Sequence, residues 1–218
     1  MAHNAISLLR SEHGNVENLF QQFEAAADGA YAEKRRIVDH VITQLARHAQ
    51  VEEQVFYPAL RGFPDLAPKV LESLEEHHAA KLALAELEKL PAEAERFDAK
   101  TTVMIESVRH HVREEEDEIF PLVEKHIPFS QLENMAGAME DVKPISPSRP
   151  HPFAPDHPPF NVLVGVPTAV IDGGMRVAVG AARLAGAALL GLSGLDRVSR
   201  QKGEEELRRQ ADESRRSA

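Results

Sequence analysis

His48-Ala-Gln-Val-Glu52-Glu53-Gln-Val-Phe56-Tyr57-Pro58 returns 63 residues later as His111-Val-Arg-Glu-Glu115-Glu116-Asp-Glu-Ile119-Phe120-Pro121. His, Glu, the aromatic and Pro each keep their place in the second copy. A shorter pair, Ser11-Glu12-His13 and Glu75-Glu76-His77, repeats at an offset of 64. Behind it, Val16, Leu19, Phe20 and Phe23 fall over Ala80, Ala83, Leu84 and Leu87, all apolar. The chain is therefore read as two helix pairs, each with one His on its first helix and His-x-x-x-Glu on its second.

Outward from these motifs the pattern is helical. Ile6, Leu9, Val16, Leu19, Phe20 and Phe23 recur at steps of three and four. Asn4 is placed to cap this helix and Asp28-Gly29 to end it. Further helices are predicted over about 32–60, 67–90 and 92–123, with Gly62-Phe63-Pro64-Asp65 and Pro91 as breaks, and a short fifth over 131–142. Alternating β-branched runs are missing. The expected class is all-α, an antiparallel up-down four-helix bundle over residues 1–142. Eight of the 14 prolines lie between Pro144 and Pro167, so residues 143–168 read as a Pro-rich linker. Residues 169–218 read as an Ala/Gly-rich helical tail with a charged C-terminus. Its apolar stretch, Val177 to Leu195, is interrupted by Arg183 and poor in strongly apolar side chains, which disfavours a span and leaves a helix packed loosely on itself or on the bundle, or contact with a membrane surface or a protein through 169–198.

Composition narrows the chemistry. With no Cys, disulfides, thiolate metal sites, iron–sulfur clusters and Cys nucleophiles are excluded. A metal here must use His and carboxylates. Residues 1–142 carry 14 Lys+Arg against 27 Asp+Glu, a net −13, which argues against nucleic acid as a partner. Residues 143–218 carry 11 against 8. No secretory signal precedes the first helix, so a cytoplasmic location is expected. Ser-His-Asp sets, P-loops and dinucleotide fingerprints are absent.

Residues four apart share a helix face, with Cβ atoms about 5–6 Å from each other. His48/Glu52 and His111/Glu115 each aim an imidazole and a carboxylate at one point, and the repeat turns the two points toward each other. His13 and His77 add two imidazoles. Four His and two Glu suit two metal ions bridged by carboxylates, and mixed N/O donors favour iron over calcium or magnesium. Glu12, Glu53, Glu76 and Glu116 are read mostly as solvated charges, one or two of which could orient a ligand imidazole. His78 and His110 point about 100° away from their ligand neighbours. His40 and His126, which lack repeat partners, are placed on the surface.

Twofold His-x-x-x-Glu in register, with the opening Ala5-Ile6-Ser7-Leu8-Leu9-Arg10-Ser11-Glu12-His13 and the run Glu52-Glu53-Gln54-Val55-Phe56-Tyr57-Pro58, resembles the hemerythrin-like (HHE cation-binding) family over residues 3–142. The resemblance implies a non-haem di-iron centre of two iron ions held by His13, His48, Glu52, His77, His111 and Glu115. It implies a small partner: oxygen, nitric oxide or peroxide. Oxygen-carrying members place a second His one turn after the third-helix ligand, where this chain has Lys81. A binding or sensing module for oxygen, nitric oxide or iron status is the leading expectation. A di-iron enzyme acting on peroxide or nitric oxide and a structural metal site are the alternatives. Glu17 and Tyr57 stand as candidates for a further ligand.

Overall fold

A computed structural model of the chain describes residues 3–153. The tail expectations for 169–218, and most of the linker, lie outside the described residues. The order is α1 (Ala5–Ala25), α2 (Tyr31–Val51), a π-helical turn (Glu52–Phe56), α3 (Tyr57–Leu60), α4 (Ala67–Lys89), α5 (Phe97–Glu114), a second π turn (Glu115–Ile119), α6 (Phe120–His126) and α7 (Phe129–Val142). Among the described residues there is no strand, and no helix is long and apolar enough to cross a membrane. α1, α2 with α3, α4, and α5 with α6 are the four antiparallel rods of the bundle. α7 crosses one end, against α1 and the first π turn.

Asn4 caps α1 as expected. Its Oδ1 accepts from the Ser7 amide at 2.9 Å, and Ser7 Oγ accepts from the Asn4 amide at 2.9 Å, a reciprocal box that satisfies two otherwise orphaned donors. Gly29 closes the next turn at φ 79°, a left-handed conformation that favours glycine. The fourth rod starts at Phe97 rather than near Ala92. After Pro91 the chain makes two short turns, with Ala94 N–H on Pro91 O and Phe97 N–H on Ala94 O, before the helix begins.

The rods bury one continuous apolar core that runs from Val16, Phe20 and Phe23 across Ile37, Val41, Leu84 and Phe97 to Ile105 and Val108. Val16, Phe20 and Phe23 are positions the three-and-four spacing picks out. At the other end Phe56, Tyr57, Leu60 and Phe120 are fully buried. The site lies between these two apolar layers, so water reaches it poorly.

The two π turns were not legible as such, but their cause is in the sequence. Pro58 and Pro121 have no amide to donate, and a proline ring in a regular α-helix clashes with the carbonyl four residues back. Each helix widens by one residue just before its proline. Tyr57 N–H bonds to Glu52 O and Phe120 N–H to Glu115 O, both five residues back. In a regular α-helix a residue five further on would sit about 140° round the wheel. The wider turn instead brings Tyr57 and Phe120 beneath Glu52 and Glu115 on the inner face.

The packed part of the chain does not end at Val142. Residues Lys143–Ile145 form a 3-10 turn against α2 and α7. Lys143 Nζ reaches Glu12 at 2.5 Å, Ser146 is buried, and Arg149 pairs with Glu88. Proline stops the helix, but it does not stop side chains packing.

Candidate metal centre

All six residues singled out by the repeat meet inside the bundle. Donor atoms of His13, His48, Glu52 and Glu115 lie within 4.8 Å of one another, and so do those of Glu52, His77 and His111. Glu52 belongs to both groups. Its Oε2 lies 3.2 Å from His48 Nε2 and 3.3 Å from His77 Nε2. Glu115 Oε2 lies 3.3 Å from His13 Nε2 and 3.7 Å from His111 Nε2. Each carboxylate thus faces one imidazole from each pair. The imidazoles pack edge to face, with His13 and His48 centroids 5.0 Å apart and those of His77 and His111 4.8 Å apart.

Five buried polar atoms here carry no hydrogen bond: His13 Nε2, His48 Nε2, both oxygens of Glu52, and Glu115 Oε2. A buried group without a partner costs about 1–3 kcal/mol, and more when charged. Five converging on one point is the arrangement expected of a cation site, so the residues present fit a metal.

Titration follows the same geometry. Burial, then the neighbouring charge of Glu115, pushes the Glu52 carboxyl well above the usual range. Burial works the same way on Glu115, but His111 and His13 more than offset it and hold that group low. Burial lowers His48 to about 4, so it is neutral at pH 7, the form that can donate a lone pair.

The other ring nitrogens reveal what the sequence reading missed. His48 Nδ1 lies 2.8 Å from Glu12, His77 Nδ1 3.0 Å from Glu53, His111 Nδ1 2.8 Å from Glu76, and His13 Nδ1 2.8 Å from Glu116. All four glutamates orient an imidazole, where one or two were expected. They form a closed circuit, because each rod supplies a glutamate to the next rod's histidine. A glutamate on Nδ1 fixes the tautomer that leaves Nε2 free to face inward. The signal was in the repeat: Glu12/Glu76 recur at 64 and Glu53/Glu116 at 63. Each glutamate is balanced by a cationic or ionisable neighbour, namely Lys143, Lys81, His110 and Arg10. Lys81, one turn after His77, is buried with its Nζ 2.7 Å from Glu53 Oε2.

The two candidates for an extra ligand separate. Glu17 points out to Arg109, at 2.9 Å. Tyr57 points in, donating its O–H to Glu115 Oε1 at 2.9 Å and lying 3.3 Å from His77 Nε2. Its repeat partner Phe120 instead stacks on His13, with centroids 5.9 Å apart. His110 is exposed beside Glu114, and His40 is exposed. His126 pairs with Asp65 at 2.8 Å, away from the site. On the core side of the imidazoles a cavity of about 40 Å³ is walled by Val16, Leu45, Leu84, Val108 and Val112. One water needs roughly 10–15 Å³, so there is space for a molecule of two or three heavy atoms.

Comparison with known proteins agrees with this fold. The model of the hemerythrin HHE cation binding domain matches residues 4–123. An uncharacterised hemerythrin-like protein of Schizosaccharomyces pombe is 29% identical over 163 residues, covering 74% of this chain and 79% of that one. A DNA nickase of Nostoc is 24% identical over 140 residues, 64% of this chain but only 39% of that protein's length. The crystal structure of an HHE cation binding domain-containing protein from Mycobacterium kansasii shares the fold, with a TM-score of 0.56 at 23% identity, over 66% of this chain and 89% of that one. The chain belongs to the hemerythrin HHE cation-binding domain family.

Proposed function

We propose that His13, His48, Glu52, His77, His111 and Glu115 hold two iron ions, and that the centre binds or senses a small molecule: oxygen, nitric oxide or peroxide. The observation that carries this reading is the convergence of the six side chains into two donor groups that share Glu52, with five unpartnered buried atoms in the first group and each of the four imidazoles held by its own glutamate. Iron held by these residues would supply redox and Lewis-acid chemistry.

The chain's own part is positioning and exclusion. Glu52 and Glu115 stand between the two histidine pairs and set the spacing of the half-sites. The four outer glutamates hold the imidazole planes. The apolar wall keeps bulk water from the open side. The Tyr57 hydroxyl lies beside these six, placed to hold Glu115 or to become a seventh donor.

Elemental analysis of protein made in iron-rich medium is expected to give about two irons per chain. One zinc and no iron would favour the structural-site alternative and sink this reading. Titrating the reduced protein with oxygen, nitric oxide and peroxide then separates binding from turnover. A reversible optical change supports the binding or sensing role, and consumption of peroxide or nitric oxide supports the enzyme.

A further inference from the structure

We propose that small molecules reach the centre through the seam between α4 and α5, and that Ala80 and Ser107 set what passes. This rests on the reading that the centre takes a small ligand. The cavity beside the imidazoles does not end in the core. Its lining runs from the four histidines to Ala80 on α4 and Ser107 on α5. Ser107 is exposed and Ala80 half-buried, so the cavity reaches the surface there.

The repeat explains why it opens on this side. The first half places Val16 and Gln44 at the positions where the second half has Ala80 and Ser107. α4 also carries Leu84 where α1 carries Phe20. Smaller side chains on α4 leave volume that the bundle cannot collapse to fill, because the rods are held apart by the site itself.

The alternative route is poorer. A wider groove lies between α1 and α5, but His13, Val16 and Val112 wall it off from the inner cavity, since these three line both. Its rim is tied by Arg109 to Glu17 and Glu24, and by Arg10 to Glu116. Gly14 lines that groove with open space around it.

The test compares Ala80→Leu and Ser107→Leu with Gly14→Leu, which narrows the other groove. Nitric oxide association with the reduced, iron-loaded protein is followed by stopped flow, and xenon exchange into the zinc-loaded protein by NMR. Both seam variants are expected to slow both processes about tenfold, a barrier rise of about 1.4 kcal/mol, with metal content and final adduct unchanged. Gly14→Leu should leave the rates alone. Unchanged rates in Ser107→Leu, which sits at the surface and does not threaten folding, would overturn the proposal. So would slowing by Gly14→Leu alone. If iron-loaded wild type forms no adduct, the small-ligand reading fails, while the xenon rates still decide whether the seam is the port.

Discussion

The circuit of outer glutamates makes a demanding prediction. Glu12→Gln, Glu53→Gln, Glu76→Gln and Glu116→Gln each keep the shape of the side chain and remove its charge. The amide oxygen can still accept from Nδ1, so packing survives and only the electrostatic support of the imidazole is lost. Replacing such a partner typically weakens metal affinity about 10–100-fold, or about 1.4–2.7 kcal/mol. The effect should be local. Glu12 and Glu116 hold His48 and His13, in one donor group; Glu53 and Glu76 hold His77 and His111, in the other. Each single change should therefore weaken one ion and spare its neighbour. The buried position of Glu53, beside Lys81, should place its variant at the upper end, because the change also removes a carboxylate oxygen that the Lys81 ammonium meets at 2.7 Å. The assay is competition with a chelator, followed optically, with Glu72→Gln as an exposed control. If the four variants release metal like the control, or release both ions equally, the circuit does not act as argued.

Gly14→Ala should stabilise the fold by about 0.5–1 kcal/mol, since Gly14 is mid-helix and exposed, and an added Cβ meets nothing within 4 Å; urea unfolding checks it. A chain ending at residue 153 should keep two ions, whereas one ending at 142 loses the Lys143 contact to Glu12 and should bind the His48 ion more weakly; metal analysis of both fragments decides. Arg109 holds the Glu17 and Glu24 carboxyls below their ordinary value through direct hydrogen bonds, so this cluster stabilises the fold above the ordinary carboxylate pKa and the gain is lost as pH falls below it. Arg109→Ala should accordingly lower the urea midpoint more at pH 7 than at pH 3. A drop of equal size at both values would refute the charge argument and leave only the lost packing on Phe20.

Much was determined by the sequence alone, because the controlling signals are periodic and local. Helix faces follow from steps of three and four. The inner six residues follow from two repeats at fixed offsets, since identical helix pairs must place identical residues symmetrically. What the tertiary structure decided were pairings between rods. Glu12 and Glu116 look like surface charges on their own helices, and only the neighbouring rod shows that each meets an imidazole. Tyr57 and Glu17 were equal candidates, since each lies within a turn or so of a ligand. The π turn forced by Pro58 swung the tyrosine inward, while Arg109, distant in sequence, drew the glutamate out. Lys143 sits past α7, where proline count marks a linker, yet its charge is held by a buried glutamate. Local spacing fixes what a residue can face; which partner it meets depends on how the rods pack.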